Sequence, residues 1–185
     1  MNTSVTYKKP RLTTSAMIAS IAGDDQPTKF APFGNALIAL AKTRPGELNY
    51  AAGAVGAASH LGPELFKAMA GVNIVRVHYK AGGSAISDLI GGHVNLFIVT
   101  TSTALPLVKG GKLKVLAVTA PERIAMLPKV ETVAESGLPG FSYTVWGGLF
   151  VPKCTPPALI ERLNRDINQV FSQPELRAQL EADGI

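Results

Sequence analysis

The 185-residue chain is 46% hydrophobic, 17% charged and 6% aromatic. That is enough apolar side chain for one cored domain, and no run approaches the roughly 20 apolar residues of a membrane-crossing helix. Its net charge of +5 is front-loaded: Lys8, Lys9 and Arg11 precede every acid, and the remainder carries 15 basic against 13 acidic residues, which argues against a nucleic-acid partner or an anionic membrane surface.

In chain order, the basic start leads into a small apolar stretch, residues 16–22, the arrangement of a secretory signal. Thr13, Thr14 and Ser15 interrupt it and Gly23-Asp24-Asp25 follows, so residues 1–33 are expected to be a divergent or poorly ordered segment. From Phe33 onward short β-branched runs alternate with amphipathic segments, and Gly or Pro marks the joins, which predicts an α/β fold. Residues 36–43 read as a helix closed by Arg44-Pro45-Gly46, and 48–52 as a strand. Ser59 is the expected N-cap of the next helix, with Leu61, Leu65, Phe66 and Met69 on one face and Pro63 in the first turn.

Strands are expected at 73–78, 94–99 and 113–119, with short helices at 84–90 and 103–108 between them. The middle strand is nearly all apolar, as one covered on both faces must be. The alternation implies right-handed crossovers and a mostly parallel sheet with helices on both faces. A Pro-rich loop surrounds a short helix at 133–136. Residues 143–151 read as a fifth strand with Gly147-Gly148 at its centre, Thr155 as the cap of a helix striped by Leu159, Ile160, Leu163, Ile167, Val170 and Phe171, and Pro174 as the opening of a second helix.

Ligands of open α/β sheets collect beyond the carboxyl ends of the strands. Three loops there are rich in small residues. The first runs from Gly53 through Gly56 and Ala57 to Ser59 and His60, the second is Gly82-Gly83-Ser84, and the third is Thr100-Thr101-Ser102-Thr103. Each can offer N–H and hydroxyl donors at a helix start to an anion, and each can equally be a capped turn. None carries a dinucleotide fingerprint, a phosphate loop or a nucleophile elbow, so no cofactor is expected. His60 reads as a cap-region residue bonded to Glu64, Lys80 as a solvated surface cation, and Asp88, Glu131 and Glu135 as helix-surface acids. Cys154, the single cysteine, sits in a loop with no nearby histidine; it excludes an intrachain disulfide, and His60, His78 and His93 are too scattered for a zinc motif. No nucleophile, base and orienting acid are assembled, so no enzyme is expected.

The runs Leu48-Asn49-Tyr50, Ala58-Ser59-His60-Leu61, Glu64-Leu65-Phe66, Tyr79-Lys80, Asp88-Leu89-Ile90-Gly91-Gly92, Gly111-Lys112-Leu113 and Thr132-Val133-Ala134-Glu135-Ser136-Gly137-Leu138-Pro139-Gly140, in this order, resemble the Bug family of extracytoplasmic solute receptors of tripartite tricarboxylate transporters. The resemblance covers residues 36–184. It implies a periplasmic binding protein of type II, a small carboxylate ligand held between two lobes by loop N–H groups and hydroxyls, membrane permease subunits as partners, a periplasmic location and no catalysis. The family's ligand loop matches at Gly56, Ser59 and His60.

Departures accompany the resemblance. Val55, Gly56 and Ala57 stand where the family commonly has Asn-Gly-Ser, Ala81-Gly82 where it has Gly-Ser, and Val99 where most members have an aspartate. Residues 34–145 are expected to form the ligand-binding lobe and 146–185 to belong to an incomplete second lobe, with the family's opening strand and Pro-Gly-Gly loop unmatched. The alternative expectation is a non-binding domain that forms homo-oligomers through the face of the missing lobe.

Overall fold

The computed structural model describes residues 15–19, 33–145 and 149–183. Along them run β1 (Ser15–Ala19), α1 (Phe33–Thr43), β2 (Asn49–Ala52), α2 (Ala58–Ala70), β3 (Val75–His78), α3 (Gly82–Ile90), β4 (Leu96–Thr100), α4 (Thr101–Lys109), β5 (Lys114–Val118), α5 (Pro157–Phe171) and α6 (Pro174–Asp183). The sheet order is β3-β2-β4-β1-β5. Strands β2, β3 and β4 are mutually parallel, and β1 is antiparallel to both β4 and β5. The α/β class, the mostly parallel sheet and its helical crossovers agree with the sequence pattern.

The fifth strand differs. Residues 143–145 and 149–151 belong to no strand, and Gly147-Gly148 lies outside the described residues. The strand is instead Ser15–Ala19, part of the apolar stretch expected to be a tail, inserted between β4 and β5. Five residues with no periodic neighbour carry little sequence signal; their pairing is set by two apolar strands distant in the chain.

Alternation along β2 and β4 divides the core. Tyr50, Ala52, Leu96 and Ile98 face α1 and α2, joining Leu37, Ala41, Phe66 and Ala70. Ala51 and Phe97 face the opposite side, joining Ala85 and Leu89 of α3 and Ala104 of α4. Phe66 meets Phe141 edge to face, with ring centroids 6.2 Å apart. Tyr50 is buried, and its hydroxyl donates to Glu64 Oε1 at 2.5 Å, while Lys67 Nζ donates to the same oxygen at 2.7 Å.

Helix α2 starts one residue before the expected cap, with Ala57 in the N-cap position and no side-chain cap bond. Pro63 therefore falls in its second turn rather than its first, and Pro106 occupies the same place in α4. Each removes the N–H that would bond the carbonyl of Ser59 or Ser102. Residues 133–136 form turns instead of a helix, closed by a reciprocal pair: Glu135 N–H donates to Thr132 Oγ1 at 3.0 Å and Thr132 N–H to Glu135 Oε2 at 2.8 Å. Thr155 is not the cap of α5; Pro156 holds that position. No residue of α5 is buried, and its stripe of Leu159, Ile160, Leu163, Val170 and Phe171 is exposed.

Candidate functional site

The chain crosses from β2 to β3 on one side and returns past β2 to β4 on the other. The carboxyl ends of β2 and β4 thus mark the point where strand order reverses, and a crevice opens there. A groove of about 370 Å³ occupies it, within the range of small-molecule sites. Its rim is formed by Ala57, Ala58 and Ser59 at the start of α2, Gly82 of α3, and Thr100 and Thr103 at the start of α4. The walls are Ile86, Phe97, Ile98, Val99 and Val145.

Three helix starts converge on this groove. None of α2, α3 or α4 receives a side-chain cap bond, and none has an acid in its first turn. Their leading N–H groups lack intrahelical acceptors, and the positive ends of three helix dipoles favour an anion, each by about 0.3–1 kcal/mol. The hydroxyls reinforce this. Gly53 N–H donates to Ser59 Oγ at 3.0 Å, which leaves the Ser59 hydroxyl hydrogen to be donated elsewhere. Thr100 Oγ1 lies 3.0 Å from both Ser102 Oγ and Thr103 Oγ1.

The loop after β2 is fixed by two histidines. Gly56, at φ +83°, donates its N–H to His60 Nδ1 at 3.1 Å, so the His60 ring accepts there and carries its hydrogen on Nε2. His78 Nδ1 lies 3.0 Å from the Gly53 carbonyl oxygen and donates to it. His60 is therefore bonded within its own loop rather than to Glu64, although its proximity helps hold the Glu64 carboxyl below its ordinary value. Burial pushes that carboxyl up, and the bonds from Lys67 and Tyr50 outweigh it.

The expected site residues separate into two groups. Ala57, Ser59, Gly82 and Thr100 line the groove. Gly53, Gly56 and His60 stand behind the rim and shape it, Ser84 Oγ donates to the Ala81 carbonyl at 2.8 Å, and Thr101 is fully buried. Gly83 lies in the first turn of α3. The walls escaped the sequence reading because the apolar run of β4 signals a buried strand, and only its position at the sheet's end makes Phe97, Ile98 and Val99 a lining.

The acids expected on helix surfaces are engaged. Asp88 Oδ2 accepts from Tyr79 OH at 2.7 Å, and burial together with that bond pushes the Tyr79 hydroxyl up to about 12. Glu135 accepts from Arg123 Nε at 2.9 Å, and Glu131 from Ser136 Oγ at 3.1 Å. Among the described residues no group of three or more His, Cys, Asp or Glu side chains is placed to hold a metal.

The sequence model described as "Tripartite tricarboxylate transporter family receptor" matches residues 11–185, a match that begins ahead of the residue-36 start of the resemblance. The chain is 37% identical over 150 residues to Protein BugT of Bordetella pertussis (strain Tohama I), an alignment covering 81% of this chain and 46% of that protein; the chain spans about half the length of the curated relatives it matches. Among solved structures it is similar to "R. palustris Rpa4515 with adipate", at TM-score 0.82 and 31% identity, covering 93% of this chain and 56% of the other. It is likewise similar to "MatC (Rpa3494) from Rhodopseudomonas palustris with bound malate", at TM-score 0.80 and 26% identity with the same coverages.

Proposed function

Because the chain belongs to the tripartite tricarboxylate transporter receptor family, we propose that it contributes the carboxylate-binding lobe of a periplasmic solute receptor that delivers a small organic acid to membrane permease subunits. The observation that carries this reading is the convergence of the uncapped, acid-free starts of α2, α3 and α4 on one groove. One carboxylate sits at that rim, taking N–H groups from the helix starts and hydroxyl hydrogens from Ser59 and Thr100. Similarity to structures holding adipate and malate supports an acid as the solute. No bond is made or broken; the site's work is differential binding.

Isothermal titration calorimetry with adipate and malate tests the proposal. Saturable binding at millimolar acid or below is expected, and Ser59→Ala with Thr100→Val should weaken it about fivefold for each hydroxyl donor lost. Heat from neither acid at millimolar concentration overturns it.

One observation favours a second reading, association of two copies. The α5 stripe is apolar yet exposed, with Leu159 at 45% and Val170 at 48%, and Ile160, Leu163, Ile167 and Val170 keep the three-four spacing of a helix-pairing seam. Light scattering decides: a monomer at micromolar concentration eliminates it.

A further inference from the structure

The groove has a directional chemistry. Its donors stand along the rim formed by α2, α3 and the start of α4, whereas Ile86, Phe97, Ile98, Val99 and Val145 present hydrocarbon on the walls. Among the described residues no lining residue is charged. A hydroxyl group on the ligand body would be desolvated against those walls, whose side chains offer no acceptor, at a cost of order 0.5–2 kcal/mol even on the mildest transfer scale, and a charged ammonium would cost more. A methylene chain there gains about 0.8 kcal/mol per buried CH₂, roughly fourfold in affinity.

Val99 decides the matter. It is the next-to-last residue of β4, one before Thr100, the start of the hydroxyl cluster. An acceptor at that place would reward a hydroxylated or amino-bearing acid, and a branched hydrocarbon excludes that reward.

We propose that the site selects carboxylates with an unsubstituted hydrocarbon body over hydroxy and amino acids of similar charge. The inference rests on the receptor reading, because it takes the rim as the carboxylate's place. Binding then follows chain length: from succinate to adipate the two added methylenes raise affinity more than tenfold, and malate binds no better than succinate.

The test is calorimetry of the full chain against succinate, adipate and malate at fixed pH and salt, repeated for Val99→Thr, which replaces one methyl group of the wall by a hydroxyl that can donate and accept. The expected result is an adipate-to-malate affinity ratio above about tenfold, falling at least threefold in the variant. Malate binding as tightly as adipate overturns the selectivity and leaves the receptor reading in place. A ratio unchanged by Val99→Thr overturns the role of Val99. Failure of all three acids to bind overturns both the selectivity and the receptor reading. Circular dichroism of the variant separates a changed preference from a changed fold.

Discussion

Asn49 and Asn95 exchange the same bond in both directions: the backbone N–H of each donates to the side-chain oxygen of the other at 2.9 Å. They sit at the amino ends of β2 and β4, so the pair fixes the register that brings the opposite ends of those strands level at the groove. Replacing Asn95 by Ala leaves the part-buried Asn49 N–H without its acceptor, and replacing Asn49 leaves the Asn95 N–H only its longer bond to the Asn49 carbonyl oxygen at 3.3 Å. We expect Asn49→Ala and Asn95→Ala each to destabilise by about 1 kcal/mol. The double variant should fall short of the summed effect by about 0.5 kcal/mol or more, since the two bonds act together. Urea denaturation midpoints measure this, and strict additivity would show that the bonds are independent.

The His60–Gly56 bond predicts a local effect on the rim. His60→Ala removes the acceptor that holds Gly56 N–H, and the loop bearing Ala57 and Ser59 should loosen. The bond is exposed, so its loss costs toward the low end of the usual range, about 0.5 kcal/mol. Hydrogen exchange at Gly56 should accelerate about twofold or more, with little change in global stability. His60→Asn restores an acceptor on a shorter side chain and should recover part of the protection. Equal exchange in all three proteins would rule out the bond as the clasp.

The two histidines also show where sequence reading stops. Helical and strand periodicity located α2, α3, β2 and β4 because each buries one regular stripe or run, as Phe66, Leu89 and Ala51 do. The small-residue loops after the strands were legible as donor sites from the same logic. What was not legible is nonlocal: that His78 reaches Gly53 across 25 residues, and that Val99 and the core residue Phe97 also line the groove. These depend on strand order, which β1 alters by inserting antiparallel between β4 and β5. The expected short helix at 133–136 is a turn for a different, local reason. The Thr-x-x-Glu spacing of Thr132 and Glu135 is a local capping signature, and it closes a turn here rather than opening a helix.

Two tyrosine–carboxylate pairs give opposite pH dependences. Tyr79, half-buried and bonded to Asp88, has its hydroxyl raised to about 12 from an ordinary value of 10.0. A raised folded value stabilises fully below the ordinary value and loses that contribution as pH climbs from about 10 to about 12. Tyr79→Phe should flatten this alkaline decline. Glu64 titrates below its ordinary value, so its contribution is present above that value and is lost as pH falls through the lower folded one. Tyr50→Phe removes one of its two donors and should shift the acid-side decline upward. Thermal midpoints across both pH ranges, for wild type and each variant, check the two signs separately.

Gly62 is required by close approach. A Cβ built there would lie 2.8 Å and 2.9 Å from two ring carbons of Tyr143 and 3.4 Å from Ile98 Cδ1. Tyr143 is tied to the same helix by its hydroxyl, which donates to the Ala58 carbonyl at 2.9 Å, so the ring cannot retreat without breaking a bond at the start of α2. Gly62→Ala should therefore destabilise by about 1–3 kcal/mol through overpacking, even though alanine has the better intrinsic helix propensity. In a Tyr143→Ala background the clash is gone and propensity dominates, so the same substitution should become neutral or stabilising by up to about 1 kcal/mol. Denaturation of the four proteins of this cycle reads the coupling directly. An equal cost of Gly62→Ala in both backgrounds would move the constraint from Tyr143 to the neighbouring Ile98.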